Sequence, residues 1–382
     1  MQPRDLSANS PYVPGRGSEE VARELGMDPA DLVKLSSNEN PHGPSPAAVA
    51  AIRETASDVD VYPTTAHADL TEKLADEWDL EPEQVWLSPG ADGALDYLSR
   101  AMLDPGDRVL CPTPGFSYYP MTARYHHGTV AEYDLSKADD FAQTAEVVLE
   151  AYDGERIVYL TTPHNPAGTE FAREEITTLA ESVEDHTLLV VDEAYGEYSE
   201  RPSSIDLLAE YDNVAVTRTF SKAFGLAGLR VGWAAVPESW ADAYARVNTP
   251  FATNEVACRA ALAALDDDDH VEQTVETARW AREFIRAELD APTWESAGNF
   301  VLAEVGDAEA VAEASQRAGV IVRDCSSFGL PQCIRISCGT RAETRYAVET
   351  LNEVLADLDA ATLTETDDES AETESESGVV SE

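Results

Sequence analysis

A chain of 382 residues, 43% of them hydrophobic, has material for two domains sharing a large core. It carries 73 Asp and Glu against 26 Lys and Arg, a formal net charge of −47, and the last 21 residues hold only eight of the acids. A carboxylate surface of this density repels nucleic acid and anionic lipid and needs salt to relieve its own repulsion, so no nucleic-acid or membrane partner is expected and a cytoplasmic, halophilic protein is.

Residues 1–20 are rich in Pro, Gly, Ser and Arg. The run Pro11-Tyr12-Val13-Pro14-Gly15-Arg16-Gly17 reads as an extended arm rather than a helix. It holds no apolar signal core, and no later run approaches ~18 apolar residues, so neither an export signal nor a membrane span is expected. A short strand fits Leu32 to Ser36, and the polar run from Asn38 to Pro44 reads on composition as a solvated loop. A helix is expected from Pro46 with Ser45 as its N-cap. Val85 to Ser88 reads as a strand, and Pro89-Gly90-Ala91-Asp92 turns it into a helix with Leu95, Leu98 and Met102 at helical spacing. The free N–H groups of such a helix start, here those of Ala91 and Asp92, suit a phosphate.

Arg108 to Cys111 is a further strand, leading into Pro112-Thr113-Pro114-Gly115-Phe116. The β-branched run Arg156 to Thr162 is another, and it ends in a proline-bracketed turn that presents the amide of Asn165. Thr187 to Val191 is a fully apolar strand closed by Asp192, a carboxylate that is costly there unless paired. Val214 to Thr217 opens into Thr219-Phe220-Ser221-Lys222-Ala223-Phe224-Gly225, and Arg230 follows eight residues after the lysine. Glycines admit a phosphate close to the backbone, the hydroxyls of Thr219 and Ser221 can donate to it, and Arg230 can clamp it. Lys222 is then free for covalent chemistry with a carbonyl. Three strands thus deliver Asn165, Asp192 and Lys222 past their carboxyl ends, where open α/β sheets bind ligands. The alternation of strand and helix from about 85 to 236 predicts an α/β fold with a mostly parallel central sheet and helices on both faces.

Beyond Pro237 the pattern changes. Val247 to Phe251 reads as a hinge, and Ala257–Leu265 and Val271–Leu289 as helices joined by the solvated acidic turn Asp266–Asp269. Gly298–Leu302, Gly319–Arg323 and Cys333–Ser337 alternate as strands, with a helix from about Arg341 to Leu358, so a smaller α+β domain is expected. Arg335 inside an apolar strand is expensive to bury without an anion, whereas Arg323 could face solvent on an edge strand. The five cysteines have no zinc or redox spacing and read as buried hydrophobes, so no metal is expected. The domain plan is an arm and small-domain part at 1–35, a large domain at 36–248, a small domain at 249–360 and a disordered acidic tail at 361–382.

The stretch Ser221 to Arg230, SKAFGLAGLR, resembles the Schiff-base lysine motif of fold-type I aminotransferases, which use pyridoxal 5'-phosphate. Together with Leu35-Ser36-Ser37-Asn38-Glu39-Asn40-Pro41 it resembles the histidinol-phosphate aminotransferase family, in that family's motif order from about residue 10 to 358. The resemblance implies that Lys222 is the catalytic lysine and that Ala91, Asp92, Thr219, Ser221 and Arg230 cup the cofactor phosphate. Asp192 would pair with the pyridinium N–H, Asn165 and Tyr195 would share the phenolic oxygen, and Phe116 would stack on the ring. Tyr12, Asn38, Arg323 and Arg335 would line the substrate pocket, with Arg335 and Arg323 as its anion-binding pair. Tyr62 would cross a homodimer interface to the cofactor phosphate of the other subunit. The implied reaction moves an amino group between L-histidinol phosphate and 2-oxoglutarate, in histidine biosynthesis. An aromatic or broad-range aminotransferase and a threonine-phosphate decarboxylase share the fold and stay open as alternatives. Four positions depart from the family's usual residues: Thr64, Phe116, Thr162 and Ala167.

Overall fold

The computed structural model describes residues 6–9, 11–63 and 65–376. Its strands are β1 (Val33–Leu35), β2 (Val85–Ser88), β3 (Arg108–Thr113), β4 (Thr129–Asp134), β5 (Ile157–Thr161), β6 (Leu188–Asp192), β7 (Val214–Thr219), β8 (Gly232–Ala235), β9 (Phe300–Glu304), β10 (Val320–Asp324) and β11 (Cys333–Ser337). Its α-helices are α1 (Ser18–Leu25), α2 (Pro46–Thr55), α3 (Thr65–Trp78), α4 (Gly90–Met102), α5 (Tyr118–Tyr125), α6 (Ala145–Ala151), α7 (Arg173–Ser182), α8 (Tyr244–Val247), α9 (Glu255–Leu265), α10 (Asp268–Glu288), α11 (Ala308–Arg317) and α12 (Arg341–Glu376).

Seven strands form the large sheet in the order β2-β8-β7-β6-β5-β3-β4. All its neighbours are parallel except those of β8, which runs antiparallel to both β2 and β7. The central strands β5 and β6 are buried at every position, which is why they read as apolar runs without alternation. In register, Thr161 of β5 faces Asp192 of β6, and Asp192 faces Thr217 of β7. The polar residues therefore appear in one row at the carboxyl edge of an otherwise apolar sheet.

The small sheet has the order β1-β10-β11-β9, so β10 is an inner strand. That removes the edge-strand reading of Arg323, which is 9% exposed and lies directly opposite Arg335. The core of this sheet holds Val301, Val322, Ile334 and Ile336 under α10, α11 and α12.

Three boundaries differ from the sequence reading. The arm gives way to helix α1 at Ser18, with Gly17 as its N-cap. Helix α9, assigned above to the small domain, packs on α2 and α3 and shares the large core through Ala257, Ala260, Ala261 and Ala264. Its alanine-rich face lets three helices approach closely. The last helix continues to Glu376 instead of ending near Leu358, so the part of the acidic tail at 361–376 is helical. No glycine or proline interrupts the chain between Arg341 and Ser377. Residues 377–382 lie outside the described ones. All five cysteines are buried and free. Among the described residues no helix is long and apolar enough to cross a membrane.

Candidate active site

A cavity of about 640 Å³ opens at the carboxyl edge of the large sheet, between the two sheets. Lys222, Asp192, Asn165, Thr219, Ser221, Arg230, Ala91, Asp92, Phe116, Tyr195, Tyr12, Asn38, Arg323 and Arg335 all line it. Tyr62 does not. It lies outside the cavity, 74% exposed, its ring stacked on Phe251 at 4.5 Å.

One wall gathers anion donors. Helix α4 begins at Gly90, and its first-turn N–H groups have no intrahelical acceptor. Arg230, in the left-handed region at φ 55°, reaches over this turn, and its guanidinium donates to Ser221 Oγ at 3.4 Å and to Asp92 Oδ2 at 3.1 Å. Thr219 Oγ1 accepts from the Ser221 backbone N–H at 3.1 Å and donates to Ser221 Oγ at 3.0 Å. Gly232 makes the approach possible. A Cβ there would sit 2.6 Å from the backbone nitrogen of Ala91 and 2.6 Å from the carbonyl carbon of Gly90.

The floor holds a carboxylate. Asp192 is 4% exposed, and burial pushes its carboxyl up to about 6. Its partners are neutral: the Tyr119 hydroxyl at 2.7 Å and the backbone N–H of Ala194 at 3.0 Å. Burial and the neighbouring Asp192 hold the Tyr119 phenol well above its ordinary value, so it stays a donor. The sequence reading missed Tyr119. It is the third aromatic of the Phe116-Ser117-Tyr118-Tyr119 run, and stacking of its ring on Tyr159 at 4.6 Å together with a 2.8 Å hydrogen bond between its hydroxyl and Thr161 Oγ1 aims it at Asp192.

The opposite wall comes from the small domain. Arg335, 5% exposed, donates to Asn165 Oδ1 and, at 3.0 Å, to the carbonyl of Ser36. Its Nε is buried without a partner. Asn38 is buried rather than solvated, in the left-handed region at φ 54°. Its Nδ2 donates to the Tyr195 hydroxyl at 2.9 Å, and its Oδ1 and backbone N–H bind Ser337. The segment is a loop as read, with Glu39 exposed, but Asn38 is not solvated, because its partners Tyr195 and Ser337, 157 and 299 positions away, do not show in composition. Lys222 Nζ makes a single 3.3 Å bond, to the carbonyl of Ser37, and faces the Tyr195 ring at 5.6 Å.

Two turns carry the remaining contacts. Phe116 meets the edges of Tyr12 at 6.2 Å and Tyr119 at 5.5 Å. His164, fully buried, donates from Nε2 to the carbonyl of Pro114 at 2.9 Å and so ties the Phe116 turn to the Asn165 turn. Burial pushes its imidazole down to about 4, which keeps it neutral near pH 7. Among the described residues no group of three or more His, Cys, Asp or Glu could hold a metal ion.

Such a site, a free lysine between a buried carboxylate and two anion-binding walls, suits a carbonyl cofactor with a phosphate and a protonated ring. Comparison with known proteins agrees. The family described as aminotransferase class I and II matches residues 30–351. The chain is 72% identical over 361 residues, 94% of its length and all of the relative's, to the histidinol-phosphate aminotransferase of Haloferax volcanii. It is 39% identical over 349 residues, 90% of its length and 96% of the relative's, to that of Akkermansia muciniphila. A crystal structure of histidinol-phosphate aminotransferase from Sinorhizobium meliloti, in complex with pyridoxal 5'-phosphate, superposes with a TM-score of 0.84 at 29% identity, covering 94% of this chain and 99% of the other.

Proposed function

The chain belongs to the aminotransferase class I and II family, and on that premise we propose that it moves an amino group between L-histidinol phosphate and 2-oxoglutarate, giving imidazole acetol phosphate and L-glutamate, and that in histidine biosynthesis the transfer runs the other way, from glutamate to imidazole acetol phosphate. The observation that carries the substrate is the 72% identity over nearly the whole length to an enzyme of that name. Arg335 supplies chemistry to match, a buried guanidinium with a donor still unspent. A planar guanidinium can accept a phosphate in one half of the cycle and a carboxylate in the other.

Pyridoxal 5'-phosphate is the cofactor, and the residues present fit it. Gly232 lets β8 pack directly against the α4 start, which holds the N–H groups of Ala91 and Asp92 at the cavity, and Asp192 is a buried carboxylate with only neutral partners. We assign its phosphate to the N–H groups of Ala91 and Asp92, the hydroxyls of Thr219 and Ser221, and Arg230. Lys222 would hold its aldehyde carbon, Asp192 its ring N–H, Asn165 and Tyr195 its phenolic oxygen, and Phe116 its ring face. When bound, the protonated ring supplies an electron sink for the substrate's α-carbon. Lys222 Nζ, released, takes the proton from that carbon. Asp192 must stay ionised throughout, and Tyr119 steadies it by donating to Oδ2. Asn38 orients the Tyr195 hydroxyl, and Tyr12 and Phe116 keep water from the reacting atoms.

Gly232→Ala should push the α4 start away from Ser221 and Arg230. Weaker cofactor binding, by roughly tenfold or more, is expected, with about 1–3 kcal/mol of stability lost to overpacking. Titration of cofactor into dialysed protein and a denaturant melt measure the two effects.

The enzyme is further read as a homodimer in which Tyr62 reaches the partner's cofactor phosphate. The apolar patch of Val59, Val61, Tyr62 and Phe251, each at least half exposed, supports that reading. Sedimentation in high salt tests it, with a monomer as the contrary result.

The substrate is tested by single half-reactions in high potassium chloride. Cofactor-loaded protein is mixed separately with histidinol phosphate, histidine, tyrosine, phenylalanine and threonine phosphate, and the visible cofactor band is followed. A preference for histidinol phosphate on the order of 100-fold over histidine is expected, since hydrogen bonds to a charged group contribute about 1.5–3 kcal/mol. Equal reaction with tyrosine or phenylalanine would move the protein to the broad aromatic class. Release of carbon dioxide from threonine phosphate would make it a decarboxylase.

A further inference from the structure

Of the polar run Asn38-Glu39-Asn40, only Asn38 lies in the site described so far with a partner that explains it. Asn40 does not line the cavity. Its side chain ends instead on the turn that carries Lys222. Nδ2 donates to the carbonyl of Ala223 at 2.8 Å and to Thr274 Oγ1, on α10, at 3.1 Å. Oδ1 accepts from the backbone N–H of His42 at 2.8 Å. These partners fix which end of the amide is which, because a backbone carbonyl only accepts and a backbone N–H only donates. The Thr274 hydroxyl spends its own hydrogen on the carbonyl of His270 at 2.9 Å, so it too offers Asn40 a lone pair. Both groups facing Nδ2 are therefore acceptors, and only an NH2 satisfies them together.

The same segment supports the turn at two more points. Lys222 Nζ meets the carbonyl of Ser37. Gly225, at φ 69°, is pressed so closely on the backbone of Gly43 and Pro44 that a Cβ there would strike them. Helix α10 backs the segment: His270 Nε2 lies 3.0 Å from the Gly43 carbonyl, and His42 Nε2 lies 2.9 Å from Thr277 Oγ1. Residues 37–44 thus form a wedge with the Lys222 turn on one side and α10 on the other. Helix α10 also packs on β9, which pairs with β11, the strand of Arg335. Ala223 is fully buried, so its carbonyl finds no water in exchange for Asn40.

We propose that Asn40 is a positioning residue, an amide tether that fixes the Lys222 turn against α10 and so sets where Nζ stands relative to the Arg335 wall. This rests on Lys222 being the base that takes the α-proton. The proton then passes between groups held by different walls, the substrate by Arg335 and the base by the turn. A displacement on the order of 1 Å can cost such a step about 100-fold.

Two variants test the tether. Asn40→Asp is nearly isosteric and aims two acceptors at two acceptors, and Asn40→Ala removes the bonds without adding charge. Hydrogen–deuterium exchange of cofactor-free protein reads the turn directly, at the N–H groups of Gly225 and Leu226, which bond to the carbonyls of Lys222 and Phe220. Both variants should speed it by about fivefold or more, as a local closure is released. Unchanged exchange in both would overturn the tether. This result needs no turnover, so it stands apart from the reading of Lys222, which fails separately if Lys222→Ala keeps its activity. Half-reaction kinetics with histidinol phosphate, counted per bound cofactor so that unfolded chains do not enter, give the second readout. A fall in kcat of about tenfold to 100-fold is expected, with KM within about twofold of the parent, because Asn40 touches neither wall of the cavity. A higher KM at unchanged kcat would overturn the proposal. Thr274→Val leaves the Ala223 bond in place and should cost less, and combined with Asn40→Ala it should cost nothing further. Losses that multiply would show that the two residues act separately and would overturn the link to α10.

Discussion

Lys222→Ala should abolish transamination, with a fall of at least ~10⁴-fold, because it removes both the cofactor's anchor and the base that moves the α-proton. The visible band of the covalently held cofactor should disappear with it. Unfolding is not the expected cause. Lys222 Nζ makes one 3.3 Å bond to a backbone carbonyl and no ion pair among the described residues, so its removal leaves no buried charge unpaired. A melting temperature close to that of the parent cofactor-free protein would show the loss to be chemical. Turnover within tenfold of the parent would remove Lys222 from the mechanism.

Asp192→Asn should be nearly as severe, on the order of 10³-fold, since a neutral amide cannot hold the ring nitrogen protonated. The same residue predicts a pH effect of definite sign. Burial holds its carboxyl at about 6 in the folded protein against an ordinary value of 3.8. The folded state therefore binds this proton more tightly than the unfolded chain does. The stability linked to that proton is fully present below about 3.8 and is lost as pH rises through about 6, a change on the order of 3 kcal/mol. Cofactor-free Asp192→Asn should consequently be more stable than the parent above pH 6, and the advantage should vanish toward pH 4. Cofactor should reverse the order at pH 7.5, because a cationic ring N–H pairs with the carboxylate and not with the amide. Denaturant melts at pH 4, 5, 6 and 7.5, with and without cofactor, measure both. A stability difference independent of pH would show that Asp192 keeps an ordinary carboxylate.

The half of the site that comes from strand ends was legible in the sequence. Asp192 closes a run that is apolar from Leu188 to Val191, and Asn165 and Lys222 follow strands that are buried at every position, where a polar residue has few uses other than a ligand. Small residues at Ser221 and Gly232 mark close backbone approach in the same way. What was not legible depends on pairing across the chain. Tyr119 reads as one more aromatic until the stacking of Tyr159 shows which way its hydroxyl points. Asn38 reads as solvated until Ser337 and Tyr195 are beside it. Arg323 reads as an arginine that could face solvent on an edge strand until the order of the small sheet places β10 inside it. The packing of α9 on α2 and α3 was not legible for a related reason. Periodicity says which face of a helix is buried, not which core buries it.

The parallel pairing of β1 with β10 joins residues from the two ends of the chain, and Asn38 meets Ser337 across 299 positions. On the ribosome this fixes an order of events. The strands that carry Asn165, Asp192 and Lys222 have all left the exit tunnel while β10 and β11 are still untranslated, and chains fold from the N-terminal side as they emerge. The cofactor wall can therefore assemble on the nascent chain, whereas the wall of Arg335 and Asn38 must wait for nearly complete synthesis. A message cut short before codon 335 would yield a chain that has Lys222 but lacks Arg335.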